Sequence, residues 1–155
     1  MTAVVTLRVY TGAAAGTESA SQTGVALLSV DAATNDPNDH QVAKGANSYE
    51  KWLRLKIDTA DSGEFSHFWI ERSGVLPDGV VIKLGVTDTP STPTSTTSTV
   101  ATTTMADGRR YVFDAATLDT NGDYTRYLVL QEQVAATAAS GVVTQQDFAI
   151  GYSES

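Results

Sequence analysis

The sequence predicts an all-β protein, an antiparallel β-sandwich of jelly-roll-like type with about eight strands. Apolar and polar residues alternate with a period of two through most apolar segments, which is the pattern of half-buried strands. Asp-Ser-Gly, Asp-Gly and Asn-Gly turns separate these segments and supply residues suited to positive φ. No window shows a helical period, and the Ala-rich pieces around Ala13 and Ala135 are short and flanked by glycine.

Eight segments carry the strand pattern. In chain order they span residues 3–9, 25–30, 49–58, 65–72, 79–86, 109–114, 124–134 and 141–152. In the third segment, Leu53 and Ile57 lie on the core face. Trp52 therefore falls on the opposite, polar face, beside Arg54 and Lys56. The fourth segment, FSHFWIER, is apolar on both faces and is expected to be a central strand.

Residues 87–105, TDTPSTPTSTTSTVATTTM, form a Thr-rich segment with almost nothing apolar to bury. Thirteen of its first eighteen residues are Thr or Ser and two are Pro, which is the composition of a loop or a linker. Only about fifty residues follow, too few to fold alone, so we expect one domain over residues 1–155 with this segment as a long internal loop. An alternative is that residues 96–105 pair as an edge strand, because Thr favours extended backbone.

The balance of charge is acidic, with a formal net charge of −8 at pH 7. Clustered Lys and Arg drive binding to phosphate, so this charge argues against nucleic acid as a partner. The one adjacent basic pair, Arg109-Arg110, is expected at a strand end. The chain has no cysteine and no apolar run of about 18 residues, which excludes disulfides and predicts no membrane-spanning helix. We also expect no signal peptide, because the amino terminus lacks a charged region and a continuous apolar run.

Candidate catalytic residues are few, and we expect neither enzymatic activity nor a cofactor. The sequence has no nucleophile elbow, no Gly-rich phosphate loop and no H-E-x-x-H motif. His40 falls in a polar stretch and is expected to be solvated, whereas His67 shares a predicted strand face with aromatic residues and is expected to be packed. Asp58, Asp61 and Glu64 lie close enough in sequence to suggest glycoside hydrolysis. They flank a predicted turn, however, where Asp is common for conformational reasons.

The stretch DTNGD is the candidate metal site in the sequence. Asp119, Asn121 and Asp123 present alternating oxygen ligands of the kind that calcium prefers. The stretch departs from an EF-hand loop, because its glycine comes too early and the twelfth position is Leu130 rather than Glu. The competing interpretation, an Asn-Gly turn before the next strand and no metal, is the one we favour.

Trp52 raises the question of what covers it, because its predicted face is otherwise polar. An aromatic ring in such a place can stack on a sugar ring or anchor a protein interface. One of the two long irregular segments, residues 31–48 or the Thr-rich segment, can equally cover it. The sequence leaves both interpretations open.

The later two thirds of the chain run from NSYEKWLRLKI through GEFSHFWIERSG and PDGVVIKLGVTDTPSTPT to RYLVLQEQV and a terminal YSES. In this arrangement they resemble small β-sandwich virion proteins of tailed bacteriophages. In that family, a strand ending Tyr-hydrophobic-Val-hydrophobic-Gln precedes a small-residue loop, a Gly-Val strand and a terminal Tyr-x-Glu. The matching pieces here are residues 127–131, 135–140 and 141–143, followed by Tyr152 and Glu154. The segments NSYEKWLRLKI, GEFSHFWIERSG and PDGVVIKLGVTDTPSTPT belong to the same resemblance.

Some members of this family resemble head decoration (cement) proteins, and others resemble tail components. The resemblance therefore implies a capsid decoration protein on the outer capsid surface of the virion, assembled in the bacterial cytoplasm. Its partner would be the major capsid protein, and a homotrimer is the form that the resemblance implies. The alternatives are a carbohydrate-binding module that uses Trp52 or Trp69 as a stacking platform, and a tail or baseplate adaptor of the same fold.

The Thr-rich segment and the N-terminal strand supply extended backbone that can pair with a neighbouring protein. Because of that, we expect the interface to draw on both segments together with the tryptophan of the third strand. The residues expected there are Trp52, Val4, Thr6, Thr92, Pro93, Thr97 and Val100.

Overall fold

The computed structural model describes residues 2–34, 38–96, 98, 100–139 and 146–155. These residues contain one short 3-10 turn, Ala13–Ala15, and nine strands, so the predicted all-β class is confirmed. The strands are β1 (Val4–Thr11), β2 (Thr17–Glu18), β3 (Lys51–Thr59), β4 (Phe65–Ser73), β5 (Val80–Thr87), β6 (Thr102–Thr104), β7 (Arg110–Asp114), β8 (Tyr127–Val134) and β9 (Asp147–Glu154).

The strands form two antiparallel sheets of unequal width. The larger sheet has six strands in the order β2-β1-β3-β8-β5-β6, and the smaller has three in the order β7-β4-β9. The segment that is apolar on both faces, β4, lies in the middle of the smaller sheet, as expected. The strands β6 and β7 each lie at the end of a sheet, although they follow one another along the chain.

The main hydrophobic core draws on both sheets, as in a β-sandwich. The larger sheet contributes residues from alternate positions of its strands, and Leu53 and Ile57 lie on the core face as the alternation predicts. The smaller sheet contributes three phenylalanines, Phe65, Phe68 and Phe113, each with at most 4% of its surface exposed. Burial of this apolar surface is the main favourable term that holds the sheets together.

A β-bulge in β4 overturns the prediction for His67. The pairing of β4 with β9 shifts between Ser66 and Trp69, and His67 has a φ of 52°. The extra residue reverses the alternation, so that Phe68 points into the core and His67 is exposed. Its Nδ1 lies 3.0 Å from the hydroxyl of Ser66.

The apolar run at residues 25–30, predicted as a strand, is irregular. It still contributes to the interior, since Leu28 has 1% of its surface exposed. Its backbone bonds to other irregular segments, with the amide of Tyr49 donating to the carbonyl of Leu28 at 2.8 Å. A short apolar run shows that residues are buried but does not show what conformation buries them.

Each predicted turn contains a residue with positive φ. Gly79, Gly108 and Gly122 all have φ between 65° and 93°. At the turn before β4, the residues with positive φ are Asp61 and Ser62 rather than the glycine that follows them. Asp tolerates this conformation better than most residues, which fits its presence at that turn.

Lys51, in β3, is a charged residue that the fold buries. Only 1% of its surface is exposed, and its Nζ donates a hydrogen bond to the carbonyl oxygen of Ala32. Burial lowers the pKa of the Lys51 amine from its ordinary value of 10.5, and the nearby Asp31 carboxylate opposes this shift only in part. The depressed pKa means that this amine contributes less to the stability of the folded chain at neutral pH than above pH 10.5, where it is neutral in the folded and unfolded states.

The substitution Lys51→Met is expected to change how stability depends on pH. A depressed folded-state pKa means that wild type loses stability as the pH falls from 10.5 through that pKa. As the pH rises from 7 to 10.5, the unfolding free energy of wild type should therefore increase relative to that of the variant. Urea unfolding at a series of pH values measures the difference. The control is Lys44→Met, at an exposed lysine, for which the difference in unfolding free energy from wild type is expected to stay constant with pH. A constant difference for Lys51→Met as well would contradict the prediction.

Candidate functional site

The Thr-rich segment connects two neighbouring strands of the larger sheet, β5 and β6, and is therefore a loop within that sheet. The alternative that its end pairs as an edge strand is confirmed over three residues. These are Thr102, Thr103 and Thr104, which pair with residues 83–85 of β5. The threonines of β6 are exposed, as suits a strand at the end of a sheet.

Glu50, immediately before β3, holds the Thr-rich segment against the larger sheet. Glu50 has 1% of its surface exposed, and its backbone amide donates to the carbonyl of Thr94 at 2.9 Å. One carboxylate oxygen accepts from the indole nitrogen of Trp52 at 3.1 Å and from the amide of Thr94 at 3.3 Å. The other accepts from the hydroxyl of Ser98 at 2.5 Å. Hydrogen bonds to a carboxylate are stronger than those between neutral groups, so these contacts hold the segment in place.

Gln131, on β8, adds a second attachment for the same segment. Its side-chain nitrogen donates to the carbonyl of Thr96 at 2.8 Å and to that of Ser48 at 3.1 Å. Sequence reasoning missed both Glu50 and Gln131 as anchors of the loop. Each lies at one end of an apolar alternating segment, where a polar residue on a sheet face needs a partner, and that signal was available.

Trp52 lies inside the protein, so of the two interpretations left open for it, the one with an exposed ring does not hold. It has 0% of its surface exposed and packs in a second cluster with Tyr10, Tyr127 and Val129. The rings of Trp52 and Tyr127 meet edge to face, with centroids 5.6 Å apart. Val100 of the Thr-rich segment packs against this cluster, so the interpretation that a long loop covers the tryptophan is confirmed.

The two candidate interface residues of β1 differ in exposure. Val4 has 42% of its surface exposed. Thr6 is half-buried, and its hydroxyl donates to the Asp58 carboxylate at 2.6 Å. That bond, together with the charge of Arg8 at 3.1 Å, lowers the pKa of Asp58. Asp58, considered above for catalysis, is thus held as a paired structural anion, while Asp61 is exposed at its turn.

The candidates of the Thr-rich segment are only partly available for a partner. Thr92 is exposed, and its hydroxyl oxygen accepts from the amide of Ala14 at 2.9 Å. Pro93 is buried, and Val100 is half-buried and packs against the cluster that contains Trp52, so both side chains make contacts within the chain. Thr97 lies outside the described residues.

Trp69, on the outer face of the smaller sheet, is covered by two neighbours. Its ring lies against Gly151 of β9, where a β-carbon would come within 2.3 Å of the ring. The guanidinium of Arg110 lies 3.7 Å from the ring centroid, and its Nε is 3.6 Å from the Glu71 carboxylate. Arg110 is the first residue of β7, so the expectation that the Arg109-Arg110 pair marks a strand end is confirmed.

A groove of about 610 Å³ separates the ends of the two sheets, and we call it the edge groove. It is lined by residues 84–86, 101–103 and 109–112, which belong to β5, to β6 and the residue before it, and to β7 and the residue before it. The chain crosses between the sheets just beyond β6, where the Tyr111 hydroxyl bonds the carbonyl of Thr104 at 3.3 Å. Val112 is 56% exposed, an unusual degree for a valine in a strand.

A second, smaller hollow of about 400 Å³ is lined by charged groups that already have partners. Arg126 binds the Asp88 carboxylate at 2.7 Å. Asp114 accepts from the amides of Arg126 and Ala116, at 2.8 and 2.9 Å. The Arg54 guanidinium stacks 4.6 Å from the centre of a tyrosine ring. These contacts make the hollow a structural junction rather than a site with groups ready to bind a ligand.

The DTNGD stretch forms the Asn-Gly turn that we favoured, with Gly122 at a φ of 93°. Each candidate ligand uses an oxygen in a hydrogen bond inside the protein. Asn121 accepts from the Ala60 amide at 2.7 Å, Asp123 from the Thr120 amide at 3.2 Å, and Asp119 from the Thr120 hydroxyl at 3.0 Å. Within the described residues, no group of three His, Cys, Asp or Glu residues is arranged to hold a metal ion.

Among the described residues, no helix is long and apolar enough to cross a membrane. Comparison with protein-family models, with curated proteins and with solved structures gave no significant match. The geometry of the chain and the resemblance described above are therefore the basis for a functional proposal.

Proposed function

We propose that this chain is a non-enzymatic structural protein, a decoration protein that binds the outer surface of a tailed-bacteriophage capsid. The observation that carries the proposal is the open side of the sandwich, where β6 and β7 both end their sheets and border the edge groove. End strands present backbone donors and acceptors that a neighbouring protein can complete. The resemblance in β8 and β9 supports the choice of a virion as the larger assembly.

The Thr-rich segment is held on the larger sheet within the chain, and this also supports a role in binding a partner protein. A segment of this composition would lose much conformational entropy if it ordered only on contact with a partner. Glu50 and Gln131 hold it on the sheet before any partner arrives, which reduces the free-energy cost of association. The net charge of −8 favours a protein surface over the packaged nucleic acid as the partner.

The contacts of the two tryptophans do not support the carbohydrate-binding alternative. Trp52 is fully buried, and the Trp69 ring is covered by Gly151 and Arg110. A sugar stacks on an aromatic ring only where a face of that ring is free. A tail or baseplate adaptor would use the same open side of the sandwich, so copy number separates that alternative from the capsid.

The proposal predicts that this chain is abundant in density-purified phage particles. Quantitative mass spectrometry of the particles, with the major capsid protein as internal reference, measures the ratio of the two chains. A ratio close to that of the major capsid protein, or a simple fraction of it, is expected for a component that repeats over the shell. A few copies per particle would move the chain to the tail, and its absence from particles would contradict the virion proposal.

The resemblance also leads us to propose a homotrimer. Light scattering of the purified chain, coupled to size-exclusion chromatography, measures its mass against that of a 16.3 kDa monomer. A monomer in solution that becomes threefold clustered on particles would place trimer formation on the shell itself, at its symmetry axes.

A further inference from the structure

The edge groove has the geometry of a site for an extended peptide segment. On one side lies β7, an end strand with β4 as its only neighbour in the sheet order of the described residues. On the other side lies β6, the end strand of the larger sheet. The five residues of β7 span roughly 17 Å at about 3.3 Å per residue. A groove of about 610 Å³ borders this edge, where the backbone of an added strand could pair with β7.

The charge of the groove points to an acidic occupant. Arg109 and Arg110 both line it and both are exposed, in a protein whose formal net charge is −8. The Arg109 guanidinium lies 5.0 Å from the Tyr111 ring centroid, and that of Arg110 lies 3.7 Å from the Trp69 ring centroid. Stacking positions both guanidinium groups, and although the Nε of Arg110 lies 3.6 Å from the Glu71 carboxylate, a guanidinium has five N–H donors, so donors remain for a carboxylate of a partner.

The groove also presents apolar surface at the same place. Val112, 56% exposed, lies two residues from Arg110 along β7. Side chains of a strand alternate between two faces, so Arg110 and Val112 lie on the same face, whereas Arg109, which stacks on Tyr111, lies on the other. An added strand would therefore place an acidic and an apolar residue two positions apart on one face, with a second acidic residue next to the first.

We propose that the edge groove binds an extended acidic segment of the partner protein, which adds as a strand along β7 with its carboxylates on Arg109 and Arg110. Backbone hydrogen bonds to the end strand supply the general affinity, and the arginines supply the preference for acidic residues. That the partner is the major capsid protein rests on the proposed function. The acidic character of the bound segment does not rest on the proposed function, because it is inferred from the residues of the groove alone.

The first test uses the full-length chain and a short synthetic peptide that carries two adjacent glutamates and a valine two residues from the nearer one. Chemical-shift changes in ¹⁵N-labelled protein detect weak binding and locate it. The glutamate peptide is expected to shift the amides of residues 109–114, and the same peptide with lysine in place of each glutamate is expected to leave them unchanged. Equal shifts with both peptides, or shifts elsewhere, would overturn the inference.

A charge-reversal variant tests the role of the arginines. Arg109→Glu is expected to weaken binding of the glutamate peptide about tenfold or more, because a buried or partly buried charge pair becomes a repulsion. Lys44→Glu makes the same change of charge at an exposed lysine of the 31–48 segment and is expected to bind as wild type. Circular dichroism and thermal unfolding confirm that each variant is folded before its binding is read.

The same variants on particles separate this inference from the proposed function. If wild type and Arg109→Glu occupy particles equally, the groove inference fails while the capsid role stands. If wild type is absent from particles but binds the acidic peptide through Arg109, the capsid role fails and the groove remains a peptide site. Self-association that Arg109→Glu abolishes would show that a second copy of this chain is the occupant, which overturns the assignment to another protein.

Discussion

Replacing Glu50 with alanine is expected to lower the free energy of unfolding by about 2–4 kcal/mol and to release the Thr-rich segment from the larger sheet. The substitution removes the acceptor of the Trp52 indole, the Thr94 amide and the Ser98 hydroxyl together. Donors left unpaired in the interior lose the hydrogen bonds that water would give them. The segment can regain those bonds only by moving away into solvent, which uncovers Trp52.

Two measurements follow the two parts of this prediction. Urea unfolding gives the change in stability, and the emission maximum of Trp52 reports whether the loop has left it. Trp69→Phe in all proteins removes the second tryptophan, so the emission belongs to Trp52 alone. A red shift in the native state of Glu50→Ala, before any unfolding, is the expected sign of a released loop.

Two further variants show whether the carboxylate itself is responsible. Glu50→Gln keeps the shape and one acceptor oxygen, so it should lose less stability than Glu50→Ala. Glu64→Ala removes an exposed glutamate and should stay within about 0.5 kcal/mol of wild type. An unchanged midpoint and unchanged Trp52 emission in Glu50→Ala would show that Gln131 and Val100 hold the segment without the carboxylate.

The features predicted correctly are those that a period of two reports directly. Alternation in β3 placed Leu53 and Ile57 on the core face, and the doubly apolar pattern placed β4 in the middle of a sheet. Turn residues marked the strand ends, because few residues tolerate positive φ. These signals are local, so a sequence carries them without knowledge of the fold.

What the sequence did not reveal depended on an inserted residue or on contacts between residues distant along the chain. At His67 an inserted residue reversed the alternation, and a bulge has no composition that marks it. At Trp52 the alternation gave the correct sheet face, but Val100, the loop residue that packs over that face, is 48 residues away along the chain. The polar residues Glu50 and Gln131 signalled locally that each needs a partner, but the sequence did not show which, since their partners in the Thr-rich segment are distant along the chain.

The edge groove could not have been located from the sequence at all. Its existence depends on β6 and β7 both lying at the ends of their sheets, and strand order is a property of the whole topology. The sequence did place the Arg109-Arg110 pair at a strand end, which is where the groove carries its positive charge. The stacking of Arg110 on Trp69 connects this charge to the packing of the smaller sheet.

The contact between Trp69 and Gly151 gives the second large effect. The substitution Gly151→Val is expected to lower the free energy of unfolding by about 3 kcal/mol. A β-carbon at Gly151 would lie 2.3 Å from the Trp69 ring, far inside van der Waals contact. Glycine in a strand often marks a place where another group approaches the backbone closely, and here that group is an indole. The ring must move outward, and Arg110, which stacks on it, must move with it.

A double-mutant cycle with Trp69→Leu isolates this contact. Leucine leaves room beside residue 151, so Gly151→Val should destabilise the Trp69→Leu protein much less than it destabilises wild type. Ala149→Val, at an exposed position on the same face of β9, adds similar volume without the ring and should change stability little. Equal costs of Gly151→Val in both backgrounds would mean that the ring contact is not the cause. If the costs differ as expected, Gly151→Val should also weaken binding of the acidic peptide, since the displaced ring no longer positions Arg110 in the edge groove.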